Sequence, residues 1–406
     1  MVYWGAAEPL GQSLVLPAVK RLAESGAQLT LVTFEKPSDL LRRDDIKQIR
    51  AFLVECGVRW VPLRYHKRPK VPATAVDFLQ GCVRGIVARL DERPDVIHAR
   101  TFVGGLIGLA LASVLRAKLI YHNEGFYPDE QVDAGVWKLN SPSHRFAKVL
   151  EQRLYTRADG IIGLSSKAKA LIELLPAIQR KRTPVIVVPS CVDLDHFQRT
   201  PTPAASSDTL RLIYVGSVGG RYGLKSMGRF AAAASQDVKV HLRVLTPQDS
   251  KLAKSVLEGS GLPSDAWSVD SVPYRAMPIE LAGQQAGLHF LSQGLSDHGG
   301  SPTKIGEYWA TGLPVVVTPN AGDSEEIIRR ERVGVIVEGR SDSDFRRAAL
   351  ELRALLKDGD LADRCRRAAE NHYGLEQACE RQFKMYCDLV QQTKRAQDNC
   401  SQCSNP

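Results

Sequence analysis

Gly299-Gly-Ser-Pro-Thr-Lys-Ile-Gly-Glu-Tyr-Trp-Ala-Thr-Gly-Leu-Pro-Val-Val-Val317 passes from a glycine-rich loop through a helix into a buried strand. Ser301 is a good N-cap and Pro302 suits the first helical position, so we predict that the helix begins there. Gly312 is expected to end the helix just before the run of valines. A helix set between buried strands is typical of parallel sheets in α/β folds.

Two side chains of this helix are candidates for binding a nucleotide. Lys304 lies in the first turn and Glu307 three residues later, so both project from one face. First-turn amides and a lysine suit a phosphate, whereas a carboxylate one turn deeper can accept both hydroxyls of a ribose. A Lys–Glu surface pair is the alternative. The glycines just upstream permit close approach of the backbone and favour the nucleotide.

The same alternation of short β-branched runs with helix-length segments extends over the whole chain. It is the βαβ pattern of doubly wound parallel sheets. The predicted strands are 2–4, 29–33, 60–63, 96–98, 119–122, 160–164 and 185–188, then 210–215, 240–244, 267–271, 287–291, 314–317 and 333–337. The predicted parts of the chain are a Rossmann-like domain over 1–199, a Pro/Ser-rich linker over 200–209, a second such domain over 210–380, and a C-terminal helix with a polar tail over 381–406. We expect the ligand in a cleft between the domains, beyond the carboxyl ends of the strands.

Composition excludes several classes of protein. The chain has 406 residues, 44% hydrophobic and 24% charged, which is ordinary for globular domains and unlike disordered or collagen chains. The apolar run 102–115 is shorter than the roughly 18–20 residues of a membrane span and predicts a core helix. Eight scattered cysteines and the lack of an apolar leader predict a reduced, cytoplasmic protein. Cys400 and Cys403 form a C-x-x-C pair in the polar tail, with no second pair for a zinc site.

Positive charge is concentrated in the first half. Residues 1–205 contain 29 Lys and Arg against 20 Asp and Glu, so they carry the whole net charge of +9. The densest cluster is Arg64, His66, Lys67, Arg68 and Lys70. Solubility is one explanation and an anionic partner is the other. No nucleic-acid-binding motif accompanies the charge, so an anionic lipid leaflet or a phosphate-bearing acceptor is the better match.

Polar residues near strand ends of the first half are further candidates. His98 ends a predicted strand, where a hydrogen-bonded structural histidine is as probable as a functional one. Arg100 is placed to reach a phosphate or an acidic acceptor. The polar and aromatic loop 122–131 suggests acceptor contacts from Glu124 and Asp129, with plain surface solvation as the alternative. Asp193 and Asp195 form a D-x-D, which we do not take as a metal site.

The segment 299–317 resembles the donor-nucleotide helix of retaining GT-B glycosyltransferases of family 4, whose pattern is P-x-K-x-x-E-x-x-A-x-G-x-P-V-V. Further resemblances, in the order of the family, lie in 8–13, 95–100, 158–165, 188–193 with Phe197, and 214–220. The resemblance implies a GT-B architecture, in which two Rossmann-like doubly wound domains face each other across a cleft. It also implies an acceptor-side first domain, a donor-side second domain, and a subgroup that assembles bacterial surface polysaccharide.

The resemblance implies roles for individual residues. Glu307 would bind the ribose, His98 would lie near the reacting sugar, and Gly11 would approach the donor phosphates. The other donor-binding residues implied are Gly216, Ser217, Gly219, Gly220, Ser301 and Thr303.

The sequence departs from the family at three positions. Gly299 replaces a glutamate that contacts the donor sugar, and Ser217 and Tyr222 replace an arginine and a lysine that grip the diphosphate. Arg221 and Lys304 are the nearest cations that could take over that task.

The expected activity is transfer of a hexose from a UDP- or GDP-sugar to a hydroxyl of a glycan or lipid-linked acceptor, with retention. No cofactor, metal or nucleic acid is expected, and the leaving diphosphate itself would take the acceptor's proton. The expected location is cytoplasmic, at the inner face of the plasma membrane. One alternative is a nucleotide-sugar 2-epimerase on the same fold. The other is a non-catalytic GT-B-like binding protein, an alternative that the three departures keep open.

Overall fold

The computed structural model describes residues 2–402, except residues 4, 89–92, 200–207, 220–221, 292–293, 295 and 297–298. The described chain divides into two compact units, each built on its own parallel sheet. Unit 1 comprises residues 1–128, 138–188 and 375–406, and unit 2 comprises residues 129–137 and 189–374.

Unit 1 contains a seven-stranded parallel sheet in the order β3-β2-β1-β4-β5-β6-β7. Its strands are β1 (Val2–Tyr3), β2 (Thr30–Glu35), β3 (Arg59–Arg64), β4 (Val96–Arg100), β5 (Lys118–Asn123), β6 (Gly160–Gly163) and β7 (Val185–Val187). Its helices are α1 (Leu16–Glu24), α2 (Pro37–Leu40), α3 (Arg43–Glu55), α4 (Lys70–Val87), α5 (Phe102–Leu115), α7 (Pro142–Arg157), α8 (Ser166–Glu173), α9 (Pro176–Lys181) and α17 (Leu375–Gln402). Helix α6 (Tyr127–Asp133) spans the point at which the chain passes into unit 2.

Unit 2 contains a six-stranded parallel sheet in the order β10-β9-β8-β11-β12-β13. Its strands are β8 (Thr209–Val215), β9 (Lys239–Leu245), β10 (Trp267–Asp270), β11 (Ala286–His289), β12 (Val315–Val317) and β13 (Gly334–Ile336). Its helices are α10 (Leu224–Ala234), α11 (Ser250–Glu258), α12 (Met277–Ala282), α13 (Thr303–Ala310), α14 (Ser324–Glu331), α15 (Asp342–Leu355) and α16 (Leu361–Tyr373).

All thirteen predicted strands are present, with their ends within two residues of the predicted positions. Every described strand pair is parallel, which confirms the doubly wound α/β class. The run 102–115 is the predicted core helix α5, capped by the Thr101 hydroxyl, which accepts from the Gly104 amide. Gly108 lets α5 lie directly on β4, because a Cβ there would collide with that of Ala99. Among the described helices, none is both long and apolar enough to cross a membrane.

The division into units differs from the predicted domains. The chain enters unit 2 at Pro189, eleven residues before the predicted start of the linker at residue 200, and leaves it at Gly374. The predicted linker 200–209 lies, except for its last two residues, outside the described residues. Helix α17, which contains the predicted C-terminal helix, belongs to unit 1, where it packs against α1 and β4. The backbone is helical to Gln402, so the helix continues into the predicted polar tail. Cys400 lies in this helix, and Cys403 lies outside the described residues.

Candidate functional site

The helix of the opening segment, α13, begins one residue later than predicted. Pro302 is its N-cap, with an extended backbone, and the first helical residue is Thr303. Ser301 does not cap the helix. Its hydroxyl accepts a hydrogen bond of 3.1 Å from the Ser190 amide, which ties the start of α13 to the segment after β7. Gly312 ends the helix as predicted, with a φ of +87° that favours glycine.

Glu307 lies one turn into α13 and is 7% exposed. Burial raises the pKa of its carboxyl to about 7, and the positive charge of Lys304 partly opposes that rise. The Tyr274 phenol also has a raised pKa, first because of burial and then because of the Glu307 charge. A buried carboxyl beside a lysine and a tyrosine can accept hydrogen bonds from a pair of hydroxyls.

Lys304 projects from the first turn of α13 toward the loop that follows β8. Its Nζ lies 4.7 Å from the ring centres of both Tyr214 and Tyr222. Gly216, in that loop, has a φ of +144°, and a Cβ there would lie 2.7 Å from the lysine Nζ. The ammonium is therefore held against two aromatic faces and close to the loop backbone.

Hydrogen bonds between side chains and the backbone fix the shape of this loop. The Tyr214 hydroxyl donates to the Ser217 carbonyl at 2.6 Å. The Val215 amide donates to the Tyr308 hydroxyl at 3.0 Å, and the Val218 amide donates to the Gln248 side chain at 2.7 Å. A glycine loop fixed in this way, next to a lysine at a helix start, is suited to bind phosphate groups.

The structure thus brings together several predicted donor residues within unit 2. Gly216, Ser217 and Gly219 lie in the loop after β8, and Lys304, on the neighbouring α13, reaches this loop at Gly216. The predicted residues Gly220 and Arg221 lie outside the described residues. The sequence analysis did not identify Tyr214 or Tyr274 as parts of the site, because nothing in the sequence distinguishes them from core tyrosines.

In unit 1, the loop after β1 carries the predicted residue Gly11. Gly11 opens a π-helical turn, Gly11–Val15, that leads into α1. A Cβ on Gly11 would collide with the Gly5 carbonyl oxygen and come within 2.8 Å of Ala6. The backbone at Gly11 therefore packs closely against residues of its own loop, and the approach of Gly11 to the donor phosphates stays a prediction.

Glu35, at the end of β2, holds this loop and was not predicted. Its carboxylate oxygens accept hydrogen bonds from the Ala6 amide at 2.8 Å and the Ala7 amide at 3.1 Å. Burial raises the pKa of Glu35, and these amide bonds act in the opposite direction. The sequence offers no signal for this role, because the partners are backbone groups 28 and 29 residues away.

His98 lies in the middle of β4, not at its end, because the strand continues to Arg100. It is 3% exposed. Its Nδ1 is 2.5 Å from the Tyr386 hydroxyl, and its Nε2 is 3.1 Å from Nδ1 of His122. Burial and then the Arg100 charge lower the pKa of both histidines well below 6.5. This placement corrects the predicted position at a strand end, and the hydrogen bonds match the alternative of a structural histidine.

The predicted acceptor residues do not form one group. Arg100 is 5% exposed, and its guanidinium forms a 2.6 Å ion pair with the Glu124 carboxylate at the carboxyl ends of β4 and β5. The two side chains therefore bind each other. Asp129 lies in the first turn of α6 and belongs to unit 2.

Across the part of the chain that the structure describes, no three His, Cys, Asp or Glu residues come together as a possible metal site. Asp193, the first residue of the D-x-D, has a local structural role. Its Oδ1 accepts hydrogen bonds from the backbone amides of Asp195 at 3.0 Å and His196 at 3.2 Å.

Comparison with protein families identifies one match. Residues 13–191 match the model of the glycosyl transferase 4-like domain, which covers somewhat less than half of the chain. No curated protein sequence matches the chain significantly.

Solved structures match nearly the whole chain at low sequence identity. Sucrose-phosphate synthase from Thermosynechococcus elongatus superimposes with a TM-score of 0.69 and 14% identity, over 96% of this chain and 98% of that one. Anabaena HepE in complex with UDP gives a TM-score of 0.65 and 13% identity, over 95% and 99%. WaaG, a glycosyltransferase involved in lipopolysaccharide biosynthesis, gives a TM-score of 0.62 and 15% identity, over 95% of this chain and 99% of that one. The chain therefore has the fold of these enzymes, the GT-B fold.

Proposed function

We propose that this protein transfers a hexose from a nucleoside diphosphate sugar to a hydroxyl acceptor, with retention. The protein is a glycosyltransferase of the GT-B fold, and its residues 13–191 match the glycosyl transferase 4-like domain. The observation that carries the proposal is the pair Lys304 and Glu307. One end of α13 offers an ammonium beside the glycine loop, and the next turn offers a buried carboxyl. These two groups match the diphosphate and the ribose of one donor molecule.

The proposed chemistry needs little from the protein besides positioning and charge. The bond between the anomeric carbon and the diphosphate oxygen breaks while the acceptor oxygen attacks from the same face. The leaving diphosphate oxygen takes the acceptor's proton. Lys304 and the first amides of α13 stabilise the negative charge that develops on the diphosphate.

Anabaena HepE was solved with UDP and with UDP-glucose, so UDP-sugars are the first donors to test. The experiment is a thermal-shift screen with UDP, GDP, ADP, TDP and CMP, repeated with Glu307→Ala. We expect a shift of several degrees with one nucleotide that is lost in the variant. Nuclear magnetic resonance of the product formed from the matching nucleotide sugar then gives the anomeric configuration, which tests retention.

A non-catalytic binding protein is the second candidate, because Gly299, Ser217 and Tyr222 depart from the family pattern. Such a protein would bind the nucleotide and lose that binding in Glu307→Ala, yet release no nucleoside diphosphate from any nucleotide sugar, with or without acceptors. Release of the nucleoside diphosphate, followed with a coupled assay, separates the two candidates.

We further propose that the acceptor is a lipid-linked sugar of bacterial surface-polysaccharide assembly and that unit 1 binds the anionic inner leaflet of the plasma membrane. Helix α5 packs against both α4 and α7, so the three helices form one layer. This layer contains only two carboxylates, Asp77 and Glu151, and both are buried. Asp77 is bound to His66 at 2.6 Å, and Glu151 is paired with Lys148 at 2.6 Å.

Apolar and basic side chains occupy the exposed surface of this layer. The exposed large apolar residues are Val76, Leu79, Val83 and Val87 of α4, Val114 of α5, and Phe146 and Val149 of α7. The exposed arginines are Arg84, Arg145, Arg153 and Arg157. Arg153 and Arg157 line a groove of about 830 Å³ between α5 and α7, together with Leu109 and Val149. Apolar residues among cations, without exposed carboxylates, are typical of helices that lie on an anionic leaflet.

Co-sedimentation with vesicles tests the membrane proposal. We expect binding to vesicles of phosphatidylcholine with 30% phosphatidylglycerol, on the order of tenfold weaker in Arg153→Glu/Arg157→Glu, since each basic residue contributes about 1 kcal/mol. The matched control is Lys251→Glu/Lys254→Glu, which makes the same change of charge on the exposed face of α11 in unit 2. Charge reversal at Arg64, Lys67 and Arg68, in the same assay, tests whether the basic cluster next to α4 contributes to vesicle binding. Equal binding by all variants, insensitive to salt, contradicts the proposal.

A further inference from the structure

Asp133 is the last residue of α6, where its own helix disfavours a carboxylate. The C-terminal end of a helix carries partial negative charge, so an acidic side chain there is repelled by the last carbonyl groups. The Asp133 carboxylate is stabilised by Ser296, 163 positions later in the chain. Its Oδ2 accepts hydrogen bonds from the Ser296 amide at 2.8 Å and from the Ser296 hydroxyl at 2.7 Å. The place of this carboxylate is therefore explained by the loop that contains Ser296.

This loop joins β11 to α13, and its backbone lies directly against the carboxylate. Ser296 is 1% exposed, so water cannot replace its two bonds to Asp133 unless the loop opens. At Gly294 an added Cβ would lie 2.5 Å from Oδ2, and the three atoms nearest to it all belong to the Asp133 carboxyl group. Only a glycine lets the carboxylate approach the backbone this closely. The loop is thus shaped around Asp133.

The anchor at Ser296 is connected to the start of α13, where the donor diphosphate is proposed to bind. The Gly299 amide donates to the Ser296 carbonyl at 3.2 Å. The Ser301 hydroxyl accepts from the Ser190 amide, which fixes the other end of the loop. At Gly300, between the two anchors, an added Cβ would have no described atom within 4 Å, so the backbone there borders open space. A loop that is fixed at both ends keeps its amides in one position for a ligand.

We propose that Asp133 is a positioning residue, which fixes the loop between β11 and α13 for binding of the donor diphosphate. This inference rests on the proposed function, because it assumes a nucleoside diphosphate at the start of α13. Asp133 acts through Ser296 and does not touch the ligand. Asp129, the predicted acceptor residue one turn earlier on α6, belongs to the same unit as this loop. The donor site and one predicted acceptor contact are therefore parts of one unit.

The test compares Asp133→Ala with Asp133→Asn and Ser296→Ala. Alanine at position 133 removes both hydrogen bonds, whereas asparagine retains an oxygen that can accept them. Ser296→Ala removes only the bond from the hydroxyl. The probes are the nucleoside diphosphate that the wild type binds best and the matching nucleoside. Isothermal titration calorimetry gives the Kd of the first probe, and displacement of the first by the second gives the other Kd.

The matched control is Asp358→Ala, in the turn between α15 and α16 of unit 2. Asp358 also accepts a hydrogen bond from a backbone amide, that of Asp360 at 3.1 Å. Its loss should lower the stability of the protein in urea and leave both Kd values as in the wild type. The control therefore separates the loss of a carboxylate–amide bond in general from the loss of the one bond that fixes the donor loop.

We expect Asp133→Ala to weaken binding of the nucleoside diphosphate by about tenfold, because only a fraction of the molecules then holds the loop in the binding position. Asp133→Asn should stay within about threefold of the wild type, and Ser296→Ala should lie between the two. The Kd of the nucleoside should change by less than about twofold in each variant, since Glu307 binds the ribose one turn deeper in α13. A merely structural role of Asp133 would not separate the two probes.

Gly294→Ala keeps the test valid if Asp133→Ala does not fold. Its methyl group displaces the carboxylate and should also weaken binding of the nucleoside diphosphate. Two results overturn the inference: a wild-type Kd for the nucleoside diphosphate in Asp133→Ala or Gly294→Ala, or an equal loss for the nucleoside and its diphosphate. Failure of the proposed function has a different signature, because the wild type itself would then bind no nucleoside diphosphate more tightly than its nucleoside.

Discussion

The hydroxyl of Tyr386 lies 2.5 Å from Nδ1 of His98, a residue 288 positions earlier in the chain. The contact joins the C-terminal helix α17 to the central strand β4 and encloses the imidazole from one side, while His122 encloses it from the other. A histidine predicted to take part in the reaction is therefore part of the interior of unit 1. Substitutions that remove the hydrogen bonds of His98 can therefore measure their contribution to the free energy of unfolding.

Tyr386→Phe should lower the free energy of unfolding by about 1–3 kcal/mol, because it leaves a buried ring nitrogen of His98 without its partner. The measurement is equilibrium unfolding in urea. In a His98→Leu background the same substitution should cost less than about 0.5 kcal/mol, because the nitrogen is then absent. Equal costs in both backgrounds would show that the hydroxyl contributes through some other contact.

Glu307→Gln should remove a pH dependence of stability. The folded-state pKa of about 7 exceeds the ordinary 4.5, so Glu307 contributes stability that is fully present below pH 4.5 and is lost as the pH rises through about 7. The loss in the wild type is on the order of 3 kcal/mol. Urea unfolding at several pH values between 4 and 8 should show this slope in the wild type and a flatter profile in the variant. Parallel profiles would contradict the burial of this carboxyl.

The same group should make nucleotide binding pH-dependent. Only the ionised carboxylate accepts hydrogen bonds from both ribose hydroxyls, so the affinity of the wild type for its nucleoside diphosphate should increase as the pH rises from 6 to 8. In Glu307→Gln the affinity should be lower at pH 8 and nearly constant over this range. A pH dependence that persists in the variant would point to another titrating group.

Glu124→Gln should destabilise unit 1 by about 2–4 kcal/mol, because the Arg100 guanidinium is buried and loses its carboxylate. The double variant Arg100→Leu/Glu124→Leu removes both charges and should recover most of this loss. Chemical denaturation of the three proteins is the measurement. If the double variant is less stable than Glu124→Gln, the ion pair contributes net stability, beyond compensating the cost of burying its two charges.

Gly11→Ala should destabilise the protein by more than about 2 kcal/mol, since the added methyl collides with the backbone of Gly5 and Ala6. The matched control is Gly283→Ala, where no atom lies within 4 Å of the added Cβ and φ is −82°. Its stability should stay within about 0.5 kcal/mol of the wild type, as measured by thermal unfolding of both variants. Equal stability of the two variants would mean that the loop after β1 can relax.

The parts of the structure that depend on local patterns could be predicted from the sequence. Hydrophobic periodicity located the strands, the length of the apolar run identified α5, and Gly312 marked the end of α13. Residues whose role depends on distant partners could not be found in this way. Glu35 binds amides of a loop almost thirty residues away, and α17 joins a sheet built from the start of the chain. His98 was misplaced because β4 continues two residues further than its apolar run.

The return of α17 to unit 1 also has a consequence for protein synthesis. A ribosome completes residues 189–374, and hence most of unit 2, before it makes the helix that finishes unit 1. The two ends of this inserted stretch are held side by side, since the Val192 amide donates to the Tyr373 carbonyl at 2.9 Å. The later-made unit can therefore fold first, while the nascent first unit exposes the apolar surfaces of α1 and β4 that α17 later covers. Chaperones that bind nascent chains would therefore bind these exposed apolar surfaces of unit 1 until α17 has been synthesised and covers them.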